Sequence, residues 1–136
     1  MNDGKVFLDT NIFVYMYDSS EPVKKEICLS LLDANDCVSS SQVINEISNV
    51  LTKKIKTPTQ KVRQILMDIF NVSEVKEIHR STSFYALDLM ERYGFSYYNC
   101  LILASALESG CETLFSEDMS HGQIIESQLK ILNPFK

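Results

Sequence analysis

The feature that most constrains this chain is an alternation. Short apolar runs, Val6-Phe7-Leu8, Cys37-Val38, Val75 to Ile78, Thr113-Leu114-Phe115 and Gln128 to Leu132, are separated by longer stretches with helical periodicity. No hairpin dipeptide stands between successive runs. Parallel strands need a crossover of a dozen or more residues, usually a helix, whereas antiparallel neighbours are joined by tight turns. The pattern predicts an α/β fold, a three-layer α/β/α sandwich around a short, mostly parallel central sheet. Residues 1–136 are expected to form a single domain, since this length can bury a substantial core without staples.

Val6, Phe7 and Leu8 form a continuous apolar run that ends in a carboxylate, which suits a strand buried on both faces. Asp9 then stands at its carboxyl end, where open α/β sheets bind ligands. Ser116-Glu117-Asp118 follows the run at Thr113 in the same way. Between them, Ile12 to Met16 suggests a short helical turn, and Pro22 opens a helix with Ile27, Cys28, Leu31 and Leu32 on its stripe. Ser39 and Gln42 have the spacing of a capping box for a helix over Ser41 to Lys54. Val43, Ile44, Ile47, Val50 and Leu51 share one face of that helix, and Glu46 falls just outside its edge, as suited to a cleft as to an exposed surface.

Thr57 is placed to cap the next helix, with Pro58 at its first position and Val62, Ile65, Leu66, Ile69 and Phe70 inward. Ser81 to Tyr93 is helical, with Phe84, Leu87 and Leu89 or Met90 inward and Gly94 ending it. Ser96 caps a last helix whose first turn contains Asn99.

The formal net charge of −5 ordinarily counts against a nucleic-acid partner. Its distribution softens that, because Lys53, Lys54, Lys56, Lys61 and Arg63 cluster in a stretch without acids. That stretch is the leading candidate for a nucleic-acid backbone contact, and a solvated pair of helix ends explains it equally well. The four cysteines are dispersed, which argues for reduced, buried thiols and against a zinc site or disulfide framework. Neither a signal peptide nor a span is evident, so a cytoplasmic location is expected.

Carboxylates gathered at strand ends repel one another unless a cation holds them. Hard oxygen ligands select magnesium or manganese, and such ions activate water and stabilise charge on a phosphate. An acidic site on this chain is therefore compatible with a phosphodiester substrate.

Phe7-Leu8-Asp9-Thr10-Asn11, Asn45-Glu46-Ile47, Tyr98-Asn99-Cys100-Leu101-Ile102-Leu103-Ala104-Ser105-Ala106 and Thr113 to Asp118 together resemble a PIN domain, nearest to the VapC-like toxins of bacterial type II toxin–antitoxin pairs. The resemblance covers nearly the whole chain. It implies an endoribonuclease dependent on Mg2+ or Mn2+, usually a homodimer, silenced by a cognate antitoxin that buries the site. Asp9, Glu46 and Asp118 match the family's acidic positions. Thr10, Asn11 and Ser116 match neighbouring polar positions that orient ligands or water. Glu117 is expected to point away from Asp118.

Asn99 departs from the pattern, which has an aspartate there. Asparagine keeps the shape and an oxygen acceptor but removes a charge. The site residues are thus Asp9, Glu46, Asn99 and Asp118, with weakened metal binding. A natural substitution and an engineered knock-out are the two explanations, and the intact surroundings favour the second. The alternative function is a catalytically inactive RNA- or protein-binding module of the same fold.

A haloacid-dehalogenase-like phosphatase needs an acid where Asn11 stands, and a phospho-receiver domain needs acids and a late lysine that the chain does not supply. Tyr97 and Tyr98 suit either base stacking or helix-start packing. His79 and His121 lack a second ligand at metal spacing.

Overall fold

A computed structural model describes residues 4–136 of the chain. The first three residues of the expected domain lie outside the described part. Six strands form one sheet: β1 (Lys5–Leu8), β2 (Asp36–Ser40), β3 (Glu74–Lys76), β4 (Thr113–Phe115), β5 (Ile124–Ile125) and β6 (Leu129–Leu132). Among the described residues six α-helices flank the sheet: α1 (Thr10–Tyr15), α2 (Pro22–Ala34), α3 (Ser41–Asn49), α4 (Thr59–Val72), α5 (Arg80–Tyr93) and α6 (Tyr97–Glu108). The sheet order is β3-β2-β1-β4-β6-β5, parallel throughout except where β5 meets β6. Helices flank it, giving the expected three-layer α/β/α sandwich.

β1 occupies the middle of the sheet because its residues tolerate burial on both faces. Val6, Phe7 and Leu8 are all buried, and Phe7 lies beside Val38 of β2 and Leu114 of β4. The chain leaves β1 towards β2 on one side and returns to β4 on the other. That reversal opens a crevice at the carboxyl ends of β1 and β4. α6 is buried continuously from Cys100 to Leu107, as expected of a helix that is apolar all round.

Several local expectations shift. Ser40, not Ser39, caps α3, its Oγ accepting from the Val43 N–H. Ser39 instead ends up buried within β2. Pro58, not Thr57, occupies the cap position of α4, without a side-chain bond. The expected helix from Ser41 to Lys54 changes character, its α-helical part ending at Asn49 and a π-helical turn running from Val50 to Lys54. The Ile55 N–H reaches back to the Val50 carbonyl, Thr57 N–H reaches the Leu51 carbonyl, and Lys56 takes a left-handed φ of 58°.

On α5 the inward residues are Thr82, Ala86 and Leu89, whereas Phe84, Leu87 and Met90 face outward. A polar Thr82 is tolerated inside because its hydroxyl donates to Glu108 at 2.7 Å. On α4, Phe70 is likewise exposed.

The sequence pattern did not indicate β5 or its hairpin to β6. The turn at Glu126-Ser127 carries φ values of 54° and 56°, a conformation usually reserved for Gly, Asn or Asp. Glu126 is held there by Arg92 and by the Tyr93 hydroxyl, which also accepts from the Glu126 N–H.

All four cysteines are free and buried, and burial pushes the Cys37 thiol up to about 11 and the Cys28 and Cys111 thiols to about 12. Among the described residues, no helix is long and apolar enough to cross a membrane.

Candidate active site

Asp9 is placed by the end of β1 and serves as the cap of α1. Its Oδ1 accepts from the Thr10 N–H at 2.7 Å, and its Oδ2 accepts from the Ser116 hydroxyl at 2.8 Å. Ser116 is buried directly after β4, so the two strand ends are tied through one hydroxyl. Burial pushes the Asp9 carboxyl up to about 6. The two hydrogen bonds oppose that rise, and the charges of Glu46 and Asp118 add to it.

Glu46 arrives from α3, which follows β2. Its Oε1 accepts from the Thr10 hydroxyl at 2.5 Å and its Oε2 from Gln42 Nε2 at 2.9 Å. Gln42 therefore holds the carboxylate from one helical turn earlier. Its spacing of four residues from Glu46 was the available signal for it. Asp118 is exposed and accepts from Asn11 Nδ2 at 2.8 Å, while its N–H donates to the Ser116 hydroxyl at 3.3 Å. Asn99 lies in the first turn of α6, where its N–H is capped by Ser96 Oγ at 3.3 Å.

Asp9, Thr10, Asn11, Glu46, Asn99 and Asp118 line a single open cleft of about 220 Å³. Asn49 and Val50, which sequence reasoning did not single out, complete its wall at the start of the π-helical turn. Each carboxylate is drawn towards a neutral donor of its own. Accordingly, among the described residues no three acidic, histidine or cysteine side chains come close enough to form a metal-holding group. By type, the donors that line the cleft are carboxylate, hydroxyl and amide oxygens, hard ligands of the kind that suit magnesium or manganese. One of the four positions offers an uncharged amide oxygen.

Lys53 and Lys54 extend from the cleft wall along the π-helical turn, both exposed. Lys56 follows in the loop, and Lys61 and Arg63 project from α4. Lys61 borders a different and larger cleft of about 610 Å³, which is also walled by Val14, Met16, Tyr17, Leu51, Ile55 and Ile65. That cleft contains no cluster of carboxylates and suits a partner surface better than a reaction. Tyr98 is exposed beside Asn99, its ring edge-on to Tyr97 with centroids 5.8 Å apart. His121 is not near another ligand; its Nδ1 accepts from the Asn133 N–H at 2.9 Å.

A family model described as the PIN domain matches residues 6–124. Among solved structures, a toxin–antitoxin complex from Klebsiella pneumoniae shares 18% identity with a TM-score of 0.73, covering 95% of this chain and 97% of that one. VapBC2 from Rickettsia felis, solved bound to a DNA fragment from its promoter, gives 20% identity and a TM-score of 0.69, covering 95% and 99%. The sarcin–ricin loop-cleaving toxin VapC20 of Mycobacterium tuberculosis gives 13% and 0.68, covering 83% and 91%. No curated protein matches.

Proposed function

From the premise that the chain belongs to the PIN-domain family, we propose that it is a Mg2+- or Mn2+-dependent endoribonuclease, the toxin of a toxin–antitoxin pair, weakened by Asn99. The observation that carries this reading is the meeting of Asp9, Glu46, Asn99 and Asp118 on one cleft at the reversal point of the sheet. Asp9, Asp118 and the Asn99 amide oxygen are the residues that would hold a cation, with Glu46 at its edge. When bound, the cation supplies an activated water and stabilises charge on the phosphate.

The chain's own side chains divide the remaining work. Ser116 and the Thr10 N–H aim the Asp9 carboxylate, and Gln42 and Thr10 fix Glu46 where it can take a proton from water entering the cleft. Asn11 steadies Asp118. Lys53 and Lys54, continuing the wall beyond Val50, are suited to the RNA backbone, with Lys56, Lys61 and Arg63 farther along.

An antitoxin partner is supported by the toxin–antitoxin complexes among the structural neighbours. The 610 Å³ cleft with its apolar wall is a suitable place for it. A homodimer is supported by the outward stripe Phe84, Leu87 and Met90 on α5, 64%, 47% and 42% exposed. A second reading, an inactive RNA- or protein-binding module, is favoured by the missing charge at Asn99.

The deciding experiment compares Mn2+-dependent RNA cleavage by this chain and by Asn99→Asp. The expected result is cleavage by the variant and at least tenfold less by the chain itself. Two inert proteins would favour the binding module, and equal activities would refute the role given to position 99.

A further inference from the structure

Glu117, which the cleft does not use, is bonded through both of its carboxylate oxygens. Its Oε1 accepts from the Tyr15 hydroxyl at 2.7 Å and its Oε2 from Lys24 Nζ at 2.6 Å. Lys24 also donates to the Tyr15 oxygen at 3.3 Å and lies between two rings, 4.8 Å from the centroid of Tyr15 and 5.0 Å from that of Phe135. Those rings meet edge to face at 5.4 Å. The Glu117 carbonyl takes a bond from Asn133 Nδ2 at 3.4 Å, and Asn133 Oδ1 holds the Phe135 N–H at 2.9 Å. Three remote segments, α1, α2 and residues 133–135, thus grip one residue of the loop after β4.

We propose that Glu117, held by Tyr15 and by a Lys24 packed against Phe135, is a positioning residue for Asp118 in the cation site. The proposal rests on the cation reading given above. Glu117 and Asp118 lie in a bend directly after β4, so fixing Glu117 against α1 and α2 restricts the direction in which the next side chain leaves the backbone. Asp118 itself reaches Asn11 and its N–H reaches Ser116, so the tie on Glu117 holds the same bend from its other side. Ser116 in turn donates to Asp9. Freeing Glu117 releases one side of this short segment. Lys24 also neutralises Glu117, which keeps a further carboxylate from turning towards Asp9, Glu46 and Asp118 and competing for the same cation. The segment would otherwise be a loop with a freely rotating acid beside the site, a poor support for a ligand.

The test uses the full chain carrying Asn99→Asp, with Glu117→Gln, Lys24→Met or Lys24→Arg added. Mn2+ affinity is measured by calorimetry, and amide hydrogen exchange at Asp118 and Met119 is compared with that at Leu89. Glu117→Gln and Lys24→Met are expected to weaken Mn2+ by about tenfold, the low end for residues that support metal ligands, and to speed exchange at Asp118 without changing Leu89. Lys24→Arg retains the cation and is expected to restore both. Unchanged Mn2+ affinity with unchanged exchange at Asp118, even with a lowered melting temperature, would overturn the proposal and leave the cluster a structural tie. If the Asn99→Asp parent binds no Mn2+, the cation reading falls, and with it the claim that Asp118 is positioned for a cation. The exchange rates then show only whether the tie orders the loop.

Discussion

Asp9 places a measurable load on the fold, and replacing it should relieve that load. Its carboxyl is buried and its pKa stands at about 6 against an ordinary 3.8. Below pH 3.8 the group is protonated in both states and contributes nothing to the pH dependence. Between 3.8 and 6 the unfolded chain releases the proton while the folded chain keeps it, so stability falls as pH rises. Above 6 the full penalty is present. A gap of about two units corresponds to about 3 kcal/mol at 1.36 kcal/mol per unit.

Asp9→Asn removes the charge with little change in shape, and the Ser116 hydroxyl can rotate to accept from the new amide. The variant is therefore expected to be more stable than the parent at pH 8 by about 1–3 kcal/mol, with the difference shrinking towards zero at pH 4. Urea denaturation of both proteins in chelator, at half-unit steps from pH 4 to 8, measures it. The difference between the two proteins isolates Asp9 from other titrating groups, such as Asp18 and Glu74, whose lowered pKa values give slopes of opposite sign. A difference that stays constant with pH, or a variant less stable at pH 8, would refute the account of Asp9 as a carboxyl whose pKa is raised chiefly by burial. Added Mn2+ should stabilise the parent and not the variant.

If Lys53 and Lys54 touch the RNA backbone, reversing both to glutamate should weaken RNA binding and flatten its salt dependence, which filter binding at several salt concentrations would show; an unchanged salt slope excludes the contact. Ser127→Gly should raise stability by about 0.5–1 kcal/mol in thermal melts, because glycine accepts the left-handed φ of 56° without strain; a loss would mean that the Ser127 side chain does more than occupy the turn. Leu87→Asp should convert a dimer to monomer in sedimentation equilibrium, and a monomeric parent would remove the dimer role of α5.

The central strand and its terminal acid were legible because both are local facts. Val6, Phe7 and Leu8 are apolar without interruption, and only the middle of a sheet buries such a run on both faces. The position of Glu46 at the border of its helix face was equally readable, since helical periodicity gives direction without further information. On α5 the same periodicity placed Leu89 inward but misplaced the rest of the face. Phe84, Leu87 and Met90 compose a regular apolar stripe, yet the fold buries Thr82, Ala86 and Leu89 against α6 and leaves the stripe outside. Spacing shows which residues share a face and not which face a neighbour covers. The β5–β6 hairpin was invisible for a related reason, as Glu126 and Ser127 carry no turn signature and are held by Arg92 and Tyr93 from another element.

By itself, then, the sequence determined five of the six described strands, most helices, the acidic positions and the uncharged residue at 99. All of these depend on residue type and near neighbours. Tertiary structure alone decided that Gln42 and Thr10 share Glu46, that one Ser116 hydroxyl ties Asp9 to the loop bearing Asp118, and that Tyr15 and Lys24 converge on Glu117 with Phe135 packed against Lys24. Those contacts join residues up to 111 positions apart, as between Lys24 and Phe135. Their partners are selected by which strand lies beside which, and no local pattern encodes that choice.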